Sequence, residues 1–337
     1  MIKLINIYSP HLNSDTPMSV PKLTTTNFKE IVISAFGSST LQENTRERYG
    51  ELIEKWIEYS NKPFDILLSD PEEANRLLQT FPIKHSPENH HTYLTPIVAY
   101  LHHVKKDPVL EEKWTEIKRA NWEPIQERYD ENRPSENQMD KIMDFEEILK
   151  IRQTLEKGSV ERLLLSFYTL MEAIRADYFA TELIKTGQES TEENYIVDQT
   201  TIIIRDFKTK ARYKQIENTL SEELQEELQE SLKKKPRRYL FTREDNTPYP
   251  NRKQFSNWAC RTLSVTLKHP MTLTALRHLY IGYHMKNKTP KELTEMAKKM
   301  GHSRGMQRTY EWISNATNEV ITSNPASNPT SNQSEQP

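Results

Sequence analysis

"TLTALRHLYIGYHMKNKTPKELTEMAKKMG", residues 272–301, encodes two consecutive helices. In its second half Thr289 is a predicted N-cap, Pro290 takes the first helical position and Glu292 completes a capping box. Gly301 is the residue at which this helix is expected to end. The first half has apolar residues at helical spacing, so a pair of helices is predicted here.

A basic, polar segment follows this pair directly. It reads "MGHSRGMQRTYEW", residues 300–312, and contains His302, Arg304, Arg308 and Tyr310. His302 follows the C-terminus of a helix, a place that favours a protonated imidazole. Taken alone, a histidine at this place is more often structural, and Tyr310 is one of 15 tyrosines.

Helical patterns dominate the rest of the chain, in which only 7 of 337 residues are glycine. The β-branched residues around Ile202–Ile204, which end at "KTKA", instead predict a small antiparallel sheet. Ser159 is a predicted N-cap for a helix over 159–185. The other predicted helices are "TRERYGELIEKWIEYS", "HHTYLTPIVAYLHHVKK", "FEEILKIRQTLEKG" and "LSEELQEELQESLKKK". The sequence therefore predicts a mainly α fold with one small antiparallel sheet.

Composition divides the chain into five parts. Residues 1–25 mix Pro, Ser, Thr and Asn and are predicted to form a flexible arm. Helical patterns predict one domain over 26–120 and a second over 141–321. The charged, proline-containing residues 121–140 predict a linker. The low apolar content of 322–337 predicts a disordered tail.

The composition also excludes several classes of protein. No run approaches the ~20 apolar residues that span a bilayer, and the N-terminal sequence is a poor match to a signal peptide. Cys260 is the only cysteine, which excludes a disulfide framework and a thiolate metal cage. The pairs His90–His91 and His102–His103 do not predict a metal site, because adjacent histidines point to different sides of a helix. We expect an intracellular protein, nuclear or cytoplasmic, without a bound metal.

Charge is distributed unevenly, although the formal net charge is only −2. Residues 150–312 carry 29 Lys and Arg against 21 Asp and Glu, whereas residues 1–149 carry 17 against 25. A basic half suits phosphate binding, because neutralised phosphates release counterions. An acidic half is unusual for a domain that grips DNA, so charge alone does not decide the function.

Two arginines stand in otherwise apolar helical patterns. Burying the guanidinium of Arg175 is unfavourable unless an anion or a carboxylate meets it. Glu172 or Asp177 could supply that carboxylate. Arg277, with His278 beside it, could bind an anion or could pack its stem while its head reaches water.

Lys208 stands where the predicted strand "IIIRDF" gives way to the turn "KTKA", so a hairpin could project its side chain. Lys210, Arg212 and Lys214 follow closely. The alternative for this group is a solvated basic hairpin that holds DNA without chemistry.

Taken in order, these segments resemble the tyrosine recombinase (phage integrase) family over roughly residues 26–315. "IRADY" resembles its first-arginine motif, "FKTKARYK" its β-hairpin lysine motif, "LTALRHLYIG" its second-arginine motif, and "MGHSRGMQRTY" its closing motif. The wording "RADY" and the segment "RYDENRPSENQ" are most similar to integrases of eukaryotic DNA viruses and related mobile elements. The resemblance implies a catalytic set of Arg175, Lys208, Thr274, Arg277, His278, His302 and Tyr310.

Two positions depart from the family pattern. The family usually has a histidine or lysine three residues before the second arginine, where this chain has Thr274. His278 follows that arginine and is a different group. Tyr310 comes eight residues after His302, where nine is usual.

These residue types suit attack on a phosphodiester. The guanidiniums of Arg175 and Arg277 can fork onto the non-bridging oxygens and stabilise the transition state. His302 can add a hydrogen bond to one of those oxygens. Tyr310 becomes a better nucleophile beside these cations, and Lys208 can protonate the departing 5′ oxygen.

By resemblance, the fold is an N-terminal helical core-binding (SAM-like) domain followed by a mainly helical catalytic domain. The implied activity is site-specific cleavage and rejoining of DNA through a 3′-phosphotyrosine, serving integration of a viral or mobile genome without a cofactor. The implied partners are double-stranded DNA and a homotetramer on two duplexes. Residues 311–321 are a candidate segment for packing against another protomer. The expected DNA contacts are Lys210, Arg212, Lys214, Arg304 and Arg308.

Two other functions remain open at this stage. A type IB topoisomerase or a telomere resolvase would use the same residues without a partner duplex. A catalytically inactive DNA-binding protein of the same fold belongs to another class, and Thr274 and the short final spacing are the features that keep it open.

Overall fold

The computed structural model describes residues 28–286 and 288–308. The chain divides into two compact units, one up to Gln126 and one from Glu127. Over the described residues, no helix is both long enough and apolar enough to cross a membrane. The predicted arm, the predicted tail and the candidate packing segment 311–321 lie outside the described residues.

The first unit is built from helices. Its elements are α1 (Phe28–Ala35), a 3₁₀ turn (Phe36–Ser38), α2 (Glu43–Ser60), α3 (Phe64–Ser69), α4 (Pro71–Leu78), α5 (Pro87–Tyr100), a π-helical turn (Leu101–Lys105) and α6 (Pro108–Asp130). The helices predicted at α2 and α5 are confirmed. Residues 121–130, within the predicted linker, are helical, and the division between the units falls inside α6.

Two tryptophans organise the core of this unit. Trp56 and Trp114 are fully buried and meet edge to face, with ring centroids 6.1 Å apart. Each indole N–H finds a backbone carbonyl: Trp56 donates to Tyr93 at 2.9 Å and Trp114 to Leu68 at 3.0 Å. Burying the indoles therefore leaves neither N–H unsatisfied.

The second unit is mainly α with one small sheet, as predicted. Its elements are α7 (Glu136–Met139), α8 (Phe145–Thr154), α9 (Val160–Thr169), β1 (Glu182–Ile184), β2 (Asn194–Val197), β3 (Thr201–Ile204), α10 (Lys210–Tyr213), β4 (Ile216–Thr219), α11 (Glu222–Lys234), α12 (Arg252–Leu267), α13 (Leu273–His284), α14 (Pro290–Lys299) and α15 (Arg304–Arg308).

The sheet has four strands in the order β1-β2-β3-β4. The predicted antiparallel pairing is right for β2, β3 and β4 but wrong for β1, which pairs parallel with β2. The loop between β1 and β2 folds back because the buried carboxylate of Glu182 accepts hydrogen bonds from Ser190 Oγ and Thr191 N, both at 2.8 Å. That loop makes the crossover that a parallel pair requires.

The helix predicted over 159–185 is wrong beyond Thr169. Ser159 caps α9 as expected, by accepting a hydrogen bond from Arg162 N. Residues 170–181 are then irregular, with bends and a turn at 177–180. Side chains outside this stretch donate to its carbonyls; Tyr168 Oη, for example, donates to Arg175 O at 2.8 Å. Many apolar residues of the segment are packed inside the unit, and a run of buried apolar residues does not distinguish a helix from a buried loop.

The local prediction for α14 is confirmed. Thr289 and Glu292 form the capping box, and Pro290 begins the helix. Gly301 follows with a φ of +68°, the left-handed conformation that glycine adopts most readily. This turn carries His302 back towards α13.

Candidate active site

Helix α13 brings Arg277 into the interior of the second unit, where it is only 1% exposed. Its Nη1 donates to Ala173 O at 2.8 Å and its Nη2 to Met300 O at 3.1 Å. Nη2 also lies 2.5 Å from His302 Nδ1. The alternative in which the head of Arg277 reaches water is therefore wrong.

His302 is 3% exposed and sits against this guanidinium. Burial, and then the positive charges of Arg277 and Arg175, lower the pKa of His302 to about 3. The expectation of a protonated imidazole is therefore wrong, because burial and two cations outweigh the field of the preceding helix terminus. A guanidinium has no acceptor, so Nδ1 accepts from Arg277 and the neutral ring carries its proton on Nε2.

Arg175 lies in the turn segment 170–181 and is half-buried. Its charge contributes to the low pKa of His302. Burial raises the pKa of Asp177, and the charges of Arg252, Arg175 and Arg277 act against that rise. The charges of Arg175 and Arg277 thus act on the same two groups. The carboxylate of Asp177 forms its ion pair with Arg252, at 2.7 Å.

Lys208 lies in the connection between β3 and β4, as predicted, and is exposed. The connection contains the short helix α10 rather than a tight turn. Thr209 Oγ1 donates to Gly301 O at 2.6 Å. On the other side of Lys208, Phe207 packs so closely on Gly301 that an added Cβ there would lie 3.2 Å from its ring. Lys208 therefore stands between two residues that contact the turn leading into His302.

Two further predicted catalytic residues lie on α13. His278 is buried beside Arg277, whereas Thr274 is exposed in the first turn of the helix. Tyr310 lies outside the described residues. Of the tyrosines nearby in sequence, Tyr280 is buried, and burial raises its pKa, which disfavours the phenolate.

Three of the five predicted DNA contacts lie on the β3–β4 connection, and the other two belong to α15. Lys210 pairs with Asp206 at 2.9 Å, and the guanidinium of Arg212 lies 5.5 Å from the centre of the Tyr213 ring. Lys214 is exposed at the end of α10, and Arg304 begins α15. The side chain of Arg308 is outside the described part of the chain.

Three polar residues around this site were missed by the sequence analysis. Arg252 reaches Asp177 and, at 2.9 Å, Asp206. Asn194 Nδ2 donates to the carbonyls of both aspartates, and its Oδ1 accepts from the amide of Asp206. Only the tertiary fold brings these residues together, and no local spacing in the sequence marks them.

The histidine pairs of the first unit contact protein groups. His90 meets Gln79 at 3.3 Å and His85 at 3.1 Å, and His102 meets Glu111 at 2.9 Å. Within residues 28–286 and 288–308, no group of three or more His, Cys, Asp or Glu side chains is arranged to hold a metal ion.

No protein family profile matches this chain, and no curated protein matches it. Among solved structures, the chain is similar to the crystal structure of XerA recombinase, with 14% identity and a TM-score of 0.40, over 89% of this chain and 98% of that one. It is also similar to the integrase from mycobacterium phage Brujita, with 12% identity and a TM-score of 0.33, over 87% of this chain and 90% of that one. Both are tyrosine recombinases.

Proposed function

We propose that this chain is a site-specific DNA recombinase of the tyrosine recombinase type, which integrates a viral or mobile genome. The observation that supports this most directly is the cluster of Arg277, Arg175 and His302, with the Lys208 connection packed against the same turn. These are the side-chain types that an in-line attack on a phosphodiester needs.

The electrostatics of the cluster favour an anion. The positive charges of Arg277 and Arg175 are felt at His302, where they help to depress the pKa. A positive potential that disfavours a protonated histidine stabilises a phosphate by the same interaction. Phosphate is the anion that guanidinium groups bind in a forked geometry.

Each residue then has a distinct role in the proposed reaction. The guanidiniums of Arg175 and Arg277 stabilise the non-bridging oxygens, and His302 donates its Nε2 proton in a hydrogen bond to one of them. The Tyr310 phenol gives its proton to solvent water and its oxygen bonds to phosphorus, while the bond to the 5′ oxygen breaks. Lys208 gives a proton to that leaving oxygen. The 3′-phosphotyrosine link conserves the bond energy, so rejoining is the reverse reaction.

The surroundings of the site would bind the duplex. Lys210, Arg212 and Lys214 lie on the β3–β4 connection, and Arg304 and Arg308 belong to α15. We assign them to backbone phosphates, since such contacts position a protein on DNA without reading its sequence. Exchange between two duplexes requires four active sites, so a homotetramer forms on DNA, with residues 311–321 packing between protomers.

A covalent protein–DNA adduct tests this proposal. The full-length chain is incubated with a pool of duplexes that contain a randomised segment, and DNA linked to protein is recovered under denaturing conditions. The wild type yields an adduct whose attached sequences identify the target, and Tyr310→Phe yields none. Tyr283→Phe is the matched control and keeps the adduct.

Other outcomes separate the alternatives. Binding without an adduct in the wild type identifies an inactive DNA-binding protein. Relaxation of supercoiled DNA without site preference identifies a topoisomerase. An adduct that persists in Tyr310→Phe assigns the nucleophile to another tyrosine, and Tyr280 and Tyr283 are then the residues to test.

A further inference from the structure

The connection that carries Lys208 contacts Gly301 through the residues on both sides of Lys208. After it, the hydroxyl of Thr209 donates to Gly301 O at 2.6 Å. Before it, Phe207 is buried against Gly301. Gly301 immediately precedes His302, so these contacts set the distance between the Lys208 backbone and the phosphate site.

Arg252 makes a second connection, through ion pairs with two aspartates. Its Nε lies 2.7 Å from Asp177 Oδ1 and its Nη2 lies 2.9 Å from Asp206 Oδ2. Asp177 is two residues after Arg175, and Asp206 is two residues before Lys208. One guanidinium therefore joins the segment of the first arginine to the segment of the lysine.

The geometry around Arg252 restricts its movement. Its guanidinium lies 5.0 Å from the centre of the Phe179 ring, and the side chain of Asp177 is only 5% exposed. Asn194 reinforces the join, since its amide contacts the backbone of Asp177 and of Asp206. A planar guanidinium can hold two carboxylates at fixed angles, whereas a lysine ammonium cannot.

We propose that Thr209 and Arg252 are positioning residues, which hold the β3–β4 connection so that Lys208 can reach the leaving 5′ oxygen. This assignment rests on the proposed function. Lys208 is exposed and its side chain is long, so the anchoring of its backbone decides where its ammonium can go. A small misplacement of a catalytic group is costly, because about 1 Å can reduce a rate by about 10²-fold.

A sulfur substitution separates this role from a merely structural one. A duplex carrying the recovered target sequence is made with the bridging 5′ oxygen at the scissile phosphate replaced by sulfur. A thiolate leaves without being protonated, since a thiol has a pKa of about 8.5. A defect in proton donation therefore disappears on the sulfur duplex, whereas a defect in folding or in phosphate binding remains.

Single-turnover adduct formation by full-length variants is measured on both duplexes. We expect Thr209→Val to be about tenfold slower on the oxygen duplex, a change matching the loss of one hydrogen bond. For Arg252→Lys we expect the rate on the oxygen duplex to fall by about 10²-fold, the loss that misplacing a catalytic group causes. On the sulfur duplex both variants react at the wild-type rate, as does Lys208→Met. Thr219→Val, at an exposed position of β4, is the matched control and is unchanged on both.

Two results overturn the assignment while leaving the proposed function intact: equal slowing of Thr209→Val or Arg252→Lys on both duplexes, or no slowing on the oxygen duplex. A wild type that forms no adduct on either duplex contradicts the proposed function, and the assignment fails with it.

Discussion

Two buried arginines of the second unit, Arg162 and Arg277, lie in opposite electrostatic settings. Arg162 is 8% exposed, and its Nε and Nη2 meet Glu227 at 2.6–2.9 Å. Arg277 is 1% exposed and meets the carbonyls of Ala173 and Met300 and the ring of His302.

The pKa shifts at the two places have opposite directions. Hydrogen bonds to Glu227 raise the pKa of Arg162, because a carboxylate stabilises the guanidinium charge. Burial and the charge of Arg277 lower the pKa of His302. Burial of an arginine alone thus says nothing about function. The surrounding groups differ: Arg162 pairs with a carboxylate, whereas Arg277 contacts two carbonyls and His302.

The largest effect on stability is expected in the cluster around Arg162. Glu227→Ala leaves Arg162 buried without its carboxylate. It also removes the more distant of two acidic neighbours of Arg152, at 3.8 Å, while Glu223 stays at 2.6 Å. We expect the free energy of unfolding to fall by about 3–5 kcal/mol, the usual consequence of breaking a buried ion pair. Urea denaturation measures this. The rate of adduct formation per folded molecule stays unchanged.

The matched control is Glu226→Ala, an exposed position on the same helix. It is expected to leave the urea midpoint unchanged. If folded Glu227→Ala instead lost catalytic rate and kept its stability, the Arg162–Glu227 pair would be shown to act on the site of Arg277 and His302.

A smaller effect is expected from pH on His302. Its folded pKa lies below its unfolded value, so the unfolded chain binds the proton first and stability is lost as pH falls from the unfolded pKa towards about 3. With an unfolded pKa of about 6.5, the free energy of unfolding should fall by about 2 kcal/mol between about pH 7 and about pH 5.

Urea denaturation at the two pH values, compared between the wild type and His302→Gln, isolates this contribution. Between the two pH values, the free energy of unfolding of His302→Gln should fall by about 2 kcal/mol less than that of the wild type. Equal pH dependence in both proteins would mean that His302 is protonated in the folded state, and that the positive potential at the site is weaker than inferred.

The sequence predicts those parts of the fold that depend on local interactions. The capping box of Thr289 and Glu292 was predictable because its donors and acceptors are three residues apart. The Lys208 connection was predictable because β-branched strands flank it. The turn segment holding Arg175 was not, because its carbonyls are satisfied by distant donors, among them Arg277, 104 residues away.

The candidate residues could be named from the sequence, but their contacts and protonation could not. The order of Arg175, Lys208, Arg277 and His302 was visible, yet the protonation of His302 depends on burial, which only the packed structure determines. Arg252 was missed because its partner Asp177 lies 75 residues away in sequence.

If the guanidinium charges stabilise one scissile phosphate, as we propose, a methylphosphonate at that position should make them less necessary. In this group a neutral methyl replaces one charged oxygen of the phosphate, so less cationic stabilisation is needed. Adduct formation by the wild type and by Arg175→Ala is compared on the target duplex with either group at the cleavage position. Arg175→Ala should lose about 10²–10³-fold on the phosphate, as does removal of an oxyanion donor, and should approach the wild-type rate on the methylphosphonate. If Arg175→Ala lost the same factor in rate on both duplexes, Arg175 would not act on the charge of the phosphate.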